Sequence, residues 1–298
     1  MKSVYRQKVL TFCVFVIPAL LVFGYFFAIP FLKTFYYCFT DWNGLSKSYN
    51  FVGFDNFERL IKDKTVWLAL WNNVKFCLIG GILTFGIAIF NAVVITQSKL
   101  KEKKFYRIVF YIPNILSAVI VTLLWMFIYN PSFGILNSFL EAVGLEEWAL
   151  LWLGNKNTVI PCLIVVWVWM SVGFYMVMYI SAIEGIPTDM FEAADIDGAN
   201  SWHKFSRITW PLILETTKTN LIFFFINAFS GVYTLVDIMT EGGPAKASEV
   251  LTHYMYNQAF HMSKFGYATA IGVFVFLIVL LVSGAMLLLT RRKDVSEY

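Results

Sequence analysis

Apolar residues run almost unbroken through six stretches of the chain, 9–32, 76–96, 108–129, 157–183, 219–236 and 265–290, and polar residues gather between them. None of the six contains Asp, Glu, Lys or Arg. A bilayer core about 30 Å thick is crossed by about 20 such residues in a helix. Helices are the natural form, because a backbone in lipid must satisfy its own hydrogen bonds. The pattern therefore predicts an all-α membrane protein with six transmembrane helices. The fifth stretch is short. Extended back to Pro211 it gains Glu215 and Lys218 in its first turns, near the interface.

Orientation follows from the basic residues. Lys2, Arg6 and Lys8 precede the first span, and Lys99, Lys101, Lys103, Lys104 and Arg107 join the second to the third. Lys204 and Arg207 lie between the fourth and fifth, and Arg291, Arg292 and Lys293 follow the sixth. All four clusters fall on one side, which the positive-inside bias makes cytoplasmic, so both termini are expected there. The loop after the first span is an exception, with Lys33, Lys47, Arg59, Lys62 and Lys64 among Asp41, Asp55, Glu58 and Asp63. The basic start invites comparison with a signal peptide. The apolar run is too long for one and no small-x-small site follows clearly, so it is read as a retained helix. Trp42, Trp67, Trp71, Trp148 and Trp152 cluster near span ends, where indole favours the interface.

Composition agrees. Hydrophobic residues make up 59% and charged residues 14% of 298, too few charges to coat a soluble domain of this size. The net charge of +4 leaves no nucleic-acid footprint. Cys13, Cys38, Cys77 and Cys162 form no Cys-x-x-Cys pair and read as small hydrophobes, and His203, His253 and His261 lack metal-ligand spacing. No carboxylate sits mid-span, as a proton- or sodium-coupled carrier would usually need. There is no phosphate-cradling G-x-x-x-x-G-K-[ST] loop and no defensible catalytic constellation. Energy for any transport must then enter from another chain. A secondary carrier, a membrane enzyme and a structural scaffold are the competing classes, and no internal repeat is evident.

One polar stretch stands out. Residues 191–213, "FEAADIDGANSWHKFSRITWPLI", carry three acids and three bases between two greasy spans. Pro187 punctuates the fourth span. Asp189, with Glu192 three residues on, fits a capping box opening a short helix over 190–197. Met190, Ala193, Ala194 and Asp197 share one side of it, and the alanines leave that side thin. Gly198 permits a turn, and Ser201 can cap a second short helix bearing Trp202, Phe205, Ile208 and Thr209. Pro211 suits the first turn of the fifth span. Periodicity alone leaves open whether this element lies on the membrane or docks a soluble partner.

Glu192-Ala193-Ala194, then Gly198, then "ITWPLI" resembles the EAA loop of binding-protein-dependent ABC importers, with Trp210 in place of the usual Leu before Pro211. "FVGFDNFERL", "FYIPNILSAVIVTLLWMFIYNPSFGILN" and "TEGGPAKASEVLTHYMYNQAF" followed by "GYATAIG" resemble further segments of the sugar-permease branch, in the right order. The resemblance implies a single permease domain of the type I ABC importer fold in a prokaryotic cell membrane. It implies a first span, 9–32, that wraps a partner, a five-helix core over 70–290 and a cytoplasmic coupling loop over 187–211. A second permease, usually a different chain, two ATPase subunits holding ATP and Mg, and an extracytoplasmic solute-binding protein are the implied partners; this chain itself holds no cofactor. In the coupling loop Glu192, Ala193, Ala194, Asp197, Gly198, Trp202 and Phe205 are implied to meet the ATPase. Trp167, Ser171, Tyr175, Asn227, Ser230 and Tyr233, aromatic and hydrogen-bonding residues on spans four and five, are the candidates for the sugar pathway. Glycerol phosphate or a polyol is the alternative cargo.

Overall fold

The structure, a computed structural model, describes residues 2–98 and 101–290, and the side chains of all of these except 2–10 and 289–290. The basic side chains of Lys2, Arg6, Lys8, Lys99, Arg291, Arg292 and Lys293 thus lie outside what is described. Among the described residues five helices are long and apolar enough to cross a membrane, Thr11–Tyr37 (α1), Lys64–Gln97 (α3), Val159–Glu184 (α7), Ser201–Thr240 (α9) and Phe265–Leu288 (α11). Between them lie Asp55–Lys62 (α2), Lys103–Ile115 (α4), Ala118–Ile128 (α5), Ile135–Ala142 (α6), Thr188–Ile196 (α8) and Leu251–Tyr256 (α10).

The third apolar stretch is not the continuous span that its pattern predicts. It is α4 and α5, bent by 97° at a short break, which makes six spans only if the bent pair counts as one. Pro113 lies inside the last turn of α4, and Leu116 and Ser117 are extended, with ψ of 146° and 135°. The missing donor of Pro113 leaves the Val109 carbonyl of α4 without its helical partner and weakens the turns just before the break. Apolar continuity reports lipid solubility and is blind to such a break.

The chain divides into two compact units. One takes in the chain up to Asp63 together with Met255–Phe276; the other takes Lys64–Tyr254 and the chain from Leu277 on. In the first, Cys38, Ala270 and Val273 are buried with Phe35, Phe39 and Phe57 packed against them. Asn56 Nδ2 donates to the carbonyls of Cys38 (3.0 Å) and Thr40 (2.8 Å). Tyr267 is buried and donates its hydroxyl to Asp63 at 2.8 Å, while Arg59 lies 4.0 Å over its ring. Asn50 gives two hydrogen bonds to the Asp41 carboxylate through its backbone N–H and side-chain amide, which hold the Asp41 pKa below its usual value.

The second unit is built around α7. Two-thirds of its most apolar window is buried, against none of α1's. Toward its N-terminal end Val159, Leu163, Val166 and Val172 pack with Val232, Leu235 and Val236 of α9, Val121 of α5 and Phe76 of α3. Toward its C-terminal end Tyr175, Met176, Tyr179 and Ile183 pack with Phe85, Ala88 and Ala92 of α3 and with Ile213 and Phe224 of α9. The close approach of α4 to α7 depends on Gly173, where a Cβ would sit 2.1 Å from the Phe110 carbonyl oxygen. Buried polar side chains tie the unit together. Asn73 donates to the Ala228 carbonyl (2.7 Å) and accepts from the Leu251 amide (3.0 Å), and Asn72 donates to the carbonyls of Ala247 and Glu249 (2.9 Å each).

Candidate functional site

The polar stretch between the fourth and fifth spans folds as an elbow. Its first arm, α8, spans Thr188–Ile196 and has no buried residue. Pro187 precedes it and no side chain caps it, so the expected Asp189–Glu192 capping box does not form. A proline-positioned backbone supplies the entry instead. Phe191 packs against the core cluster of Tyr179 and Ile183 and anchors the arm. Met190, Glu192, Ala193, Ile196 and Asp197 are exposed, Ile196 at 87%, and Ala194 is half-buried. Such exposure of apolar side chains calls for a cover the chain does not itself provide.

The turn is a Schellman motif. The Gly198 amide donates to the Asp195 carbonyl (3.1 Å) and the Ala199 amide to the Ala194 carbonyl (2.8 Å). Gly198 has φ +72°, a left-handed conformation that favours glycine, and nothing lies within 4 Å of where its Cβ would be. The turn is thus set by backbone geometry, with open space around it.

The second arm differs from expectation. Asn200, not Ser201, caps it, accepting from the His203 amide at 2.9 Å. Nor is it a separate short helix, since it runs through a wider π turn, Phe205–Thr209, into the fifth span as α9. Pro211 follows that turn, inside α9. A wide turn already steps the hydrogen-bond ladder, so a missing proline donor there costs less than in a regular helix. Trp202 is exposed and its ring lies 5.6 Å from that of half-buried Phe205. Lys204 pairs with Asp195 across the elbow, Arg107 of α4 pairs with Glu184 at the end of α7, and Gln97 of α3 donates to Thr209 at 2.8 Å. A cleft of about 410 Å³ lies in the crook, lined by Ala194, Asp197, Gly198, Ala199, His203, Lys204, Arg207 and Ile208. The elbow is a braced, exposed element continuous with a transmembrane helix.

The second constellation is a cleft of about 340 Å³ lined by Asn114, Trp167, Met170, Ser171, Phe174, Tyr175 and Asn227. Four of the six pathway candidates meet there. Trp167, Ser171 and Tyr175 stand at i, i+4 and i+8 on α7, and Asn227 faces them from α9. The buried indole N–H of Trp167 has no hydrogen-bond partner among the described residues. Below it Tyr175, Phe85 and Phe224 form an aromatic layer with ring separations of 5.1 to 5.7 Å. Ser230 and Tyr233 do not line the cleft. Ser230 returns its hydroxyl to the Ile226 carbonyl (2.8 Å), and Tyr233 lies beside the His253 ring. Sequence reading missed Asn114, which donates to the Met170 carbonyl at 3.3 Å. It sits beside Pro113 at the break, and a polar residue next to a proline within an apolar run was the available signal.

An exposed elbow continuous with a membrane helix and a polar-aromatic cleft among the spans are features that a transport permease would use. The family profile described as "Binding-protein-dependent transport system inner membrane component" matches residues 98–295. The chain is 36% identical over 295 residues to the diacetylchitobiose uptake system permease NgcF of Streptomyces coelicolor, covering 96% of this chain and 83% of that one. It is 31% identical to AmyD of Thermoanaerobacterium thermosulfurigenes, described as a probable permease for starch degradation products, over 99% of both. A bacterial alginate ABC transporter, solved with an alginate pentasaccharide-bound periplasmic protein, shares its fold at a TM-score of 0.85 and 24% identity, over 100% of this chain and 99% of that one. The chain belongs to the family of binding-protein-dependent transport system inner membrane components, the permeases of ABC importers. It is a multi-pass membrane protein of the sugar-permease type.

Proposed function

We propose that the chain forms, with a second permease subunit, the membrane pathway of an ATP-driven importer for a neutral saccharide, and that the elbow over 187–211 receives the force of the ATPase. Two ATPase subunits hold ATP and Mg and supply the hydrolysis, an extracytoplasmic solute-binding protein delivers cargo, and this chain is non-catalytic. The observation that carries the coupling role is the elbow itself, with exposed Met190, Ala193 and Ile196 on a nine-residue helix braced to the spans. An ATPase cleft closing on that thin helix would pull α9, since the second arm and the span are one helix. Glu192 is exposed on the same arm and is placed for a charge-assisted contact with a basic group of the ATPase. ATP binding then biases a switch between two packed states.

Saccharide is supported by the cleft's chemistry and by the relatives' cargo. Trp167, Phe174 and Tyr175 offer apolar faces, and Asn114, Ser171 and Asn227 offer hydrogen-bonding groups, the usual mix for a sugar site. No Lys, Arg or His lines it, which disfavours glycerol phosphate. The test is ATPase activity of the reconstituted assembly with its binding protein across neutral oligosaccharides, polyols and glycerol phosphate. Stimulation by a neutral oligosaccharide is expected. Stimulation by glycerol phosphate alone would refute the cargo, and activity indifferent to Ala193→Asp would refute the coupling role.

A further inference from the structure

Beyond the end of α9, the loop over 241–250 folds back onto a buried His253–Glu249 pair, beside half-exposed Asp237 and exposed Glu241, that transport as described above does not use. His253 of α10 is only 2% exposed and Glu249 only 4%. The imidazole Nδ1 lies 2.5 Å from Glu249 Oε1, and its Nε2 lies 3.5 Å from Asp237 Oδ1 on α9. Both ring nitrogens therefore face carboxylate oxygens, which accept but cannot donate. A neutral imidazole has one N–H and serves one of them; the imidazolium serves both.

The surroundings add to the demand for positive charge. Glu241 contributes a third carboxylate to the field at His253. The Tyr233 ring packs 6.1 Å away. A Cβ on Gly242 would come within 2.8 Å of Glu249 Oε2, so the loop backbone closes directly over the buried acid. The nearby cations are engaged elsewhere: Lys246 with Thr65 (3.2 Å) and the Tyr254 ring (5.7 Å), and Lys75 with Asn72 (3.2 Å). The loop itself is strained, because Glu241, Ala245 and Lys246 all have positive φ (49°, 49° and 66°). Such conformations persist only when contacts around them enforce them.

We propose that protonated His253 is a latch that holds the 241–250 loop onto the end of α9, so that the loop is ordered at neutral and acidic pH and released at alkaline pH. Burial by itself lowers the His253 pKa. The hydrogen bond and charge of Glu249, then the charges of Asp237 and Glu241, outweigh it and leave the value raised above 6.5. A raised pKa means that the latch contributes fully below the ordinary histidine value and is lost as pH climbs through the raised one.

Hydrogen exchange of the full-length chain in nanodiscs tests this. Between about pH 6.5 and about pH 9 the amides of 242–250, corrected for intrinsic base catalysis, should lose protection as the imidazolium gives up its proton. The amides of α7 should keep theirs. In His253→Gln, whose side-chain amide carries no charge, the loop should be poorly protected at both values. Wild-type protection that does not change with pH, or a variant that keeps the wild-type step, overturns the latch. If His253→Gln fails to insert, the wild-type titration decides alone.

Discussion

Single residues set the geometry of both constellations. At Gly198 the constraint is backbone alone, φ +72° in open space, so side-chain size within the chain is irrelevant. A β-branched residue pays about 1–2 kcal/mol in the left-handed region, and asparagine much less. Gly198→Val should therefore lower substrate-stimulated ATPase activity severely, and Gly198→Asn should retain more of it. Equal loss in both would mean that the ATPase, and not the turn, reads this position. Asn73 is constrained the opposite way, wholly buried with both ends of its amide engaged. Asn73→Leu strands the Leu251 amide and the Ala228 carbonyl, each of which costs about 1–3 kcal/mol when buried without a partner. A clear drop in the thermal midpoint of the detergent-solubilised chain is expected. Sequence reading could see the residue types at these positions. It could place Gly198 in a turn, because the motif and the glycine coincide, but it had no means of pairing Asn73 with a segment far along the chain.

Elements carry the next level of constraint. Gly173 lets α4 ride against α7, with the Phe110 carbonyl where a Cβ would go. The obstacle is backbone on a packed helix, so neither partner can give easily, and overpacking of this kind costs about 1–3 kcal/mol. Gly173→Ala should lower stability measurably and Gly173→Val should block insertion or assembly, read by thermal melting and by yield of the assembled complex. The Lys204–Asp195 pair is a different case, since Asp195 is largely exposed. Exposed pairs contribute about 0–1 kcal/mol, so Lys204→Ala should hardly move the melting midpoint while altering coupling through the elbow's angle. The break between α4 and α5 and the fusion of the second arm with α9 both escaped the apolar pattern. Hydropathy averages over a window, whereas a break or a π turn is decided by a few backbone groups.

On the scale of the whole molecule, α1 stands apart. None of its most apolar window is buried within the chain, and Leu20, Leu21, Phe26 and Phe27 are more than half exposed. Lipid or another chain must cover it. The resemblance implies that it wraps a second permease, which makes a direct expectation. A photoreactive amino acid at Phe26 or Phe27 should cross-link to that subunit in the reconstituted assembly. Labelling of lipid alone at both positions would assign the face to the bilayer.

The amino-acid sequence by itself determined that this is a helical membrane protein, where five of its spans run, and that 187–211 is a polar element bearing the family's motif. These follow from properties written locally: apolar length, and a short motif whose residues are neighbours in the chain. Only the tertiary structure decided that the third span is broken, that Asn114 joins Trp167, Ser171, Tyr175 and Asn227 while Ser230 and Tyr233 do not, and that His253 lies between two carboxylates. Those outcomes depend on which helices meet and at what rotation. A few ångströms of packing fix them, and no single segment records them.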